Sequence, residues 1–444
     1  MRRFIWFLFL SAGYGLAQDI QSPSTFLGYP LGTQFTRHHQ VVDYFEYLAK
    51  AAPNNLLLEP YGLTDEGRPL FTIVLSSPRN MGQLEEIRQE HLRSTVGGPG
   101  ASKAIVWLSY NVHGNESSAT EAAMQTVYEL LTSGTTYLEN TVVVVDPCLN
   151  PDGRDRYVNW YHQYGNFPYT VDPNSREHHE GWLNGRGNHY MFDLNRDWAW
   201  LTQKESQQRI KAYNQWLPHI HVDFHEQSVD SPYYFAPAAE PYHEVITDFQ
   251  RSFQKDIGKN HAKYFDAKGW LYFTKEVFDL LYPSYGDTYP TYNGAVGMTY
   301  EQAGSGRAGL GIRTKIGDTL TLKNRIAHHT TTGLSTVETA SKNADRLNTE
   351  FQKFFTERDF DYKSYVLLGN PDRLESLTQL LRRHQIEYKR GTSGTVKGYD
   401  YATGKPGSAK LTENSIVIDT DQPKGTLIKV LLEPNTKLSD SLTY

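Results

Sequence analysis

Apolar residues recur at Val41, Val42, Phe45, Leu48 and Ala51, the spacing of one helical face, so a helix is predicted over 37–51. Two β-rich runs, 56–60 and 69–75, flank the turn-forming cluster Thr64-Asp65-Glu66-Gly67 and predict a hairpin. The rhythm then changes. Continuous apolar runs at 105–108, 141–145 and 220–224 read as buried strands, and they alternate with helical stretches at 118–131 and 203–216. Such alternation predicts an α/β fold, a central mixed, mostly parallel sheet with helices on both faces. A last strand at 294–301 leads into a long helical region over 319–355.

After that region the pattern starts afresh, with a strand at 364–368, a helix at 371–384 and strands at 415–418 and 426–432. The predicted organisation is therefore a leader at 1–18, a main domain at 19–355 and a small C-terminal α/β unit at 356–444. The chain stops at Thr443-Tyr444 without a polar tail, which reads as truncation of a longer chain. Between 150 and 200 lies a stretch rich in Asn, Asp, Gly, Arg and aromatic residues with no clear period. A loop of that length inside a compact domain is usually functional or disordered, and its Trp and Tyr content argues against disorder.

Composition narrows the class of protein. A net charge of -6 over 444 residues, with no Lys/Arg block, excludes a nucleic-acid footprint. Met1-Arg2-Arg3, the apolar run 4–12 and Gly15-Leu16-Ala17-Gln18 have the three parts of a secretory signal peptide, so export to the periplasm or the medium is expected. The apolar run is too short to span a bilayer, and no stable membrane span is expected elsewhere. The single cysteine, Cys148, has no partner for an internal disulfide and reads as a buried packing residue. No G-x-S-x-G elbow and no Walker-type loop is present, so serine-hydrolase and nucleotide chemistry have no support.

The chemistry concentrates where predicted strands end. The strand at 105–108 runs into Ser109-Tyr110-Asn111-Val112-His113-Gly114-Asn115-Glu116, which places His113 and Glu116 at a carboxyl end, where open α/β sheets build their sites. An imidazole and a carboxylate suit Zn²⁺, and a catalytic zinc takes three protein ligands and keeps a fourth position open. The best source of the third is His219-Ile220-His221-Val222-Asp223-Phe224-His225-Glu226, whose final histidine, His225, again sits at a strand end. Side chains alternate along a strand, so His219, His221 and His225 share one face and His221 is a competing ligand. The doublets His178-His179 and His328-His329 read as hydrogen-bonded or solvated, and an amidohydrolase reading of the H-x-H pair lacks the required eight-fold β/α pattern.

An isolated H-x-x-E has little specificity, but here it is followed in order by Asn150-Pro151-Asp152-Gly153, Asp193-Leu194-Asn195-Arg196-Asp197-Trp198, His225 and Tyr300-Glu301-Gln302. Over residues 31–334 this ordered set resembles the M14 family of zinc metallocarboxypeptidases, the family of pancreatic carboxypeptidase A and the cytosolic carboxypeptidases. The resemblance implies one Zn²⁺ held by His113, Glu116 and His225, and Asp193 behind a ligand histidine. It implies that Asn195 and Arg196 grip a terminal carboxylate and that Glu301 is the general base. Arg186, seven residues before Asp193, matches the oxyanion-stabilising arginine, while Arg154 and Arg156 read as structural. The tyrosine that closes over substrate is Tyr289, with Tyr285 and Tyr292 as competitors. The implied activity is zinc-dependent hydrolysis of the C-terminal peptide bond of peptides or proteins. The rival expectations are a zinc amidase acting on cell-wall stem peptides or N-acyl amino acids, and a non-catalytic peptide-binding module.

Overall fold

The computed structural model describes residues 20–438; the leader at 1–18 and the final Thr443-Tyr444 lie outside them. Its centre is an eight-stranded sheet in the order Leu56–Leu63, Pro69–Leu75, Thr141–Asp146, Ala104–Tyr110, Ile220–Gln227, Val296–Ala303, Tyr233–Tyr234, Tyr272–Phe273. The hairpin 56–75 is antiparallel, and the strands from 141–146 through 296–303 run parallel. The sheet is thus mixed and mostly parallel, as the alternating pattern implies.

Strand alternation divides the core between two faces. Val106 and Leu108 pack with helices His38–Ala51, Ser118–Thr132, Asp248–Lys268 and Leu322–Lys342. Ile105 and Trp107 face the other way, toward Leu84–Ser94, Lys204–Asn214 and Ala344–Thr356. The C-terminal residues join this second face through Tyr365, Leu374, Leu381 and Leu427. They carry a three-stranded antiparallel sheet with Ile416–Asp419 in the middle, beside the helix Pro371–Arg383 and the hairpin Gly394–Asp400 with Lys405–Leu411.

Several elements depart from the sequence pattern, among them the helix Leu84–Ser94 and the hairpin Gly394–Asp400 with Lys405–Leu411, where no element is predicted. Residues 151–164, expected as irregular, form a helix that Pro151 opens and the Asn150 side chain caps by accepting from the Gly153 amide. The 21-residue helix Asp248–Lys268, where no element is predicted, has a reciprocal Thr247–Gln250 cap and ends on Gly269 at φ 66°. The run 426–432, expected as a strand, is the helix Gly425–Leu432. Its Leu427 and Ile428 are buried against the second core face, a demand that one side of a helix meets as well as a strand does. A short apolar run suits either period.

The remainder of the aromatic stretch, 165–203, is held by side chains rather than by a ladder. Buried Glu177 accepts from the amides of Asn166 and Thr170, and both ring nitrogens of buried His178 face the carbonyls of Arg307 and Thr170. Arg156 bonds the carbonyls of Asn184 and Asn188. Among the described residues no helix is long and apolar enough to cross a membrane.

Candidate metal centre and substrate cleft

At the end of strand Ala104–Tyr110 the chain turns at Asn111, which takes φ 60°, a conformation asparagine tolerates better than most residues. Its side chain ties the turn by donating to the carbonyl of His113 and accepting from Thr120 Oγ1. The turn brings His113 and Glu116 beside His225, near the end of the adjacent parallel strand Ile220–Gln227. His113 Nδ1 lies 2.9 Å from Glu116 Oε1, His225 Nδ1 3.1 Å from Glu116 Oε2, and the two Nδ1 atoms are 3.2 Å apart. Three lone-pair donors, all buried, therefore point at one spot. Ligands on a tetrahedral zinc with bonds of about 2.0–2.1 Å stand roughly 3.3 Å apart, so the donor set fits that ion.

Each imidazole is held from behind by a carboxylate. His113 Nε2 lies 2.9 Å from Asp193 Oδ1, and His225 Nε2 lies 2.9 Å from Asp223 Oδ2. Such pairing leaves Nδ1 as the metal-facing atom of both rings. Burial alone would lower the His225 value, yet the Asp223 and Glu116 carboxylates hold it well above the ordinary range. Despite burial, Glu116 is held well below the usual carboxylate range by His113 and His225, and Asp193 by His113, Arg186 and Arg196.

His221, the competing ligand, is fully buried, lies parallel to the Trp107 ring at 6.4 Å and meets Trp198 edge-on; burial pushes it down to about 3. It is a neutral packing residue. His219 accepts the Ile105 amide at 2.9 Å. A second cluster of metal-binding types, Glu66, Asp152 and His189, is already bonded to Arg68 through both acids.

A cleft of about 360 Å³ opens beside the three donors, lined among others by Arg186, Asn195, Arg196, Tyr285, Asp287, Thr299 and Glu301. Glu301 comes from Val296–Ala303 and is in register with His225 on the parallel neighbour. Burial, with Glu116 and Asp223 nearby, pushes its carboxyl up to about 8, and a bound dication would draw it back down. Asn195 Oδ1 accepts the Gly286 amide at 2.7 Å, and the Arg196 guanidinium lies 4.5 Å from the centre of the Tyr285 ring. Arg186 reaches Asp193 at 3.0 Å and Glu116 at 3.4 Å, with a side chain 41 % exposed to the cleft mouth. Arg154 is instead buried against Glu121, and Cys148 is buried and free.

The tyrosine expectation needs correction. Tyr289 is fully buried, its hydroxyl 2.8 Å from His384 Nδ1 and its ring stacked on Trp198, so it does not reach the cleft. Tyr292 is also buried and donates to the Leu281 carbonyl. Tyr285 alone of the three lines the cleft. The sequence reading missed Asp223, Asp287 and Thr299. Asp223 was within reach, because strand alternation puts it on the His225 face.

The zinc carboxypeptidase family model matches residues 41–288, more than half of the chain. Among solved structures, the chain is similar to a metallo-carboxypeptidase from Burkholderia cenocepacia at 16 % identity and TM-score 0.45, covering 69 % of this chain and 68 % of that one. It is similar to carboxypeptidase A from Helicoverpa armigera at 16 % identity and TM-score 0.47, covering 74 % and 77 %. Thrombin activatable fibrinolysis inhibitor matches at 12 % identity and TM-score 0.49, covering 74 % and 79 %. No curated protein matches the chain significantly.

Proposed function

The chain belongs to the zinc carboxypeptidase family, and from that premise we propose that it hydrolyses the C-terminal peptide bond of peptides or proteins. The observation that carries this reading is the convergence of His113, Glu116 and His225 within 3.2 Å of one another, in one cleft with Asn195, Arg196 and Glu301. Zinc, when bound by these three residues, supplies a Lewis acid that acidifies water and polarises the scissile carbonyl. Asn195 and Arg196 hold the substrate's terminal carboxylate, the guanidinium as a two-pronged donor stiffened by the Tyr285 ring. That grip makes the enzyme read a chain end.

Glu301 takes the proton of the attacking water and delivers it to the leaving amine, its carboxylate reaching the cleft from the strand position in register with His225. Arg186, anchored on Asp193, donates to the carbonyl oxygen as negative charge gathers there. Tyr285 replaces Tyr289 as the tyrosine placed to fold over substrate. The segment 1–18 supports action outside the cytoplasm, in the periplasm or the medium, and N-terminal sequencing of exported protein checks it.

The deciding experiment measures free amino acids released from a mixed peptide library by the zinc-loaded protein and by Glu301→Gln. Sequential C-terminal release by the parent, cut at least about 10³-fold in the variant, is expected. Zinc uptake by both without release from any peptide would sink the reading.

A further inference from the structure

The C-terminal residues carry a groove that takes no part in the proposed hydrolysis. It encloses about 690 Å³ between the strand Ser364–Leu367 and the hairpin Gly394–Asp400 with Lys405–Leu411, and it shares no residue with the metal cleft. Among the described residues Ser364–Leu367 pairs on one side only, with Ile416–Asp419, and forms the edge of its sheet. Facing residues of an antiparallel pair alternate between exchanging both backbone bonds and exchanging none. The Thr420 amide donates to the Lys363 carbonyl at 3.0 Å, so in the same register Tyr365 and Leu367 bond inward. The backbone groups of Ser364 and Val366 therefore point to the open edge, and both residues line the groove. A row of unpaired amides and carbonyls is a template for another extended chain.

The opposite wall is cut for a close neighbour. Gly398 and Gly407 face each other across the hairpin, on the same face as Val396 and Ala409, and all four line the groove. A glycine inside a strand costs stability and marks a place where another backbone comes near. At Gly398 the chain's own packing gives no reason for it: φ is not left-handed, and a Cβ would meet no atom within 4 Å. The two glycines leave a strip of bare backbone facing the groove.

Charge selects among occupants. The hairpin carries Lys397, Lys405 and Lys410 against one acid, Asp400, whose Oδ1 already accepts the Ala402 amide. Among the described residues none of these lysines has an ion-pair partner, in a chain of net charge -6. Two copies of the chain meeting at this edge would set three lysines against three, which opposes self-pairing.

We propose that the groove takes an extended, acidic stretch of another polypeptide, added as a strand along Ser364–Leu367 and lying over Gly398 and Gly407. Backbone bonds to Ser364 and Val366 give affinity with little regard to sequence, and the lysines favour acidic side chains.

The test uses the full chain and a fluorescein-labelled dodecapeptide of alternating threonine and glutamate, amidated at its C-terminus so that it offers the metal cleft no carboxylate. Saturable binding, read by anisotropy, is expected to be at least about tenfold tighter than for the threonine–lysine counterpart. N-methylation of the six central residues, which removes the backbone donors and keeps the charge, is expected to weaken it at least about tenfold. Gly398→Val is expected to do the same while the thermal midpoint stays or rises, since valine suits a strand. Absence of binding up to millimolar peptide would overturn the proposal, as would a lysine peptide bound equally well or binding indifferent to N-methylation. Unchanged binding to Gly398→Val would overturn it too; should that variant unfold, the N-methylated peptide decides. A parent that sediments as a dimer and excludes the peptide in that state would assign the groove to a second copy and overturn it.

Discussion

Asp223 lies behind His225, the last of the three candidate zinc ligands in sequence. At 2.9 Å from His225 Nε2 it fixes which nitrogen faces the metal and raises the donor strength of the other. Asp223→Asn keeps the volume and removes the charge, so zinc affinity is expected to fall about 10- to 100-fold, read by competition with a chromogenic chelator. Unchanged affinity would mean that strand packing alone orients His225. At this scale the sequence was most legible where one side chain means one chemistry: the ligands and Glu301 stand in ordered phrases at strand ends. It was least legible for Tyr289, because a tyrosine in a Gly- and Pro-rich turn looks the same whether it swings over a cleft or packs against Trp198. Only the partner across the fold, His384, decides.

That partner belongs to an element whose contribution is contact rather than chemistry. His384 follows the helix Pro371–Arg383 and is fully buried; its Nε2 donates to the Ala199 carbonyl at 2.7 Å, and its Nδ1 accepts from Tyr289. Burial pushes it down to about 4, so the neutral ring serves as one donor and one acceptor. Ala199 in turn bonds Ser284, whose hydroxyl holds the Arg196 carbonyl at 2.9 Å. His384→Ala strands two buried polar groups and opens a cavity, a cost of about 3 kcal/mol. A lower thermal midpoint is expected, together with a KM that rises more than kcat falls; an unshifted midpoint would show that the C-terminal contacts carry no load. Elements with a long unbroken period, such as the buried strands and the helix at 118–131, were legible from pattern alone. The helix 151–164 was not, because its first turn is polar and its cap, Asn150, also reads as a loop residue. The helix 425–432 failed for a different reason, since a short apolar run suits either period and only its packing against the second core face decides.

Across the whole molecule the C-terminal residues are tied to the second face of the main sheet by a lysine that has no ion-pair partner among the described residues. Lys424 Nζ donates to Asn214 Oδ1 and Asn293 Oδ1, each at 2.8 Å, and burial pushes it down to about 7. Between about pH 7 and the ordinary lysine value near 10.4, the unfolded chain holds a proton that the folded one lacks. Stability from this group therefore rises with pH across that window, by at most ~1.4 kcal/mol per pH unit, while below pH 7 the full cost of burying an ammonium is present. Urea unfolding at pH 6.5, 8 and 9.5 is expected to show the parent gaining on Lys424→Met as pH rises; parallel curves would rule the mechanism out.

The strand Val296–Ala303 lies between Ile220–Gln227 and Tyr233–Tyr234, both of which are made before it. During synthesis the three candidate metal-binding residues are therefore complete about 76 residues before Glu301 is added, and the sheet must admit a late strand into its interior to bring that carboxylate to the cleft. A chain that ends before Glu301 carries the candidate metal-binding residues without that carboxylate. The order of translation thus assembles the candidate metal-binding set before the cleft wall that carries Glu301.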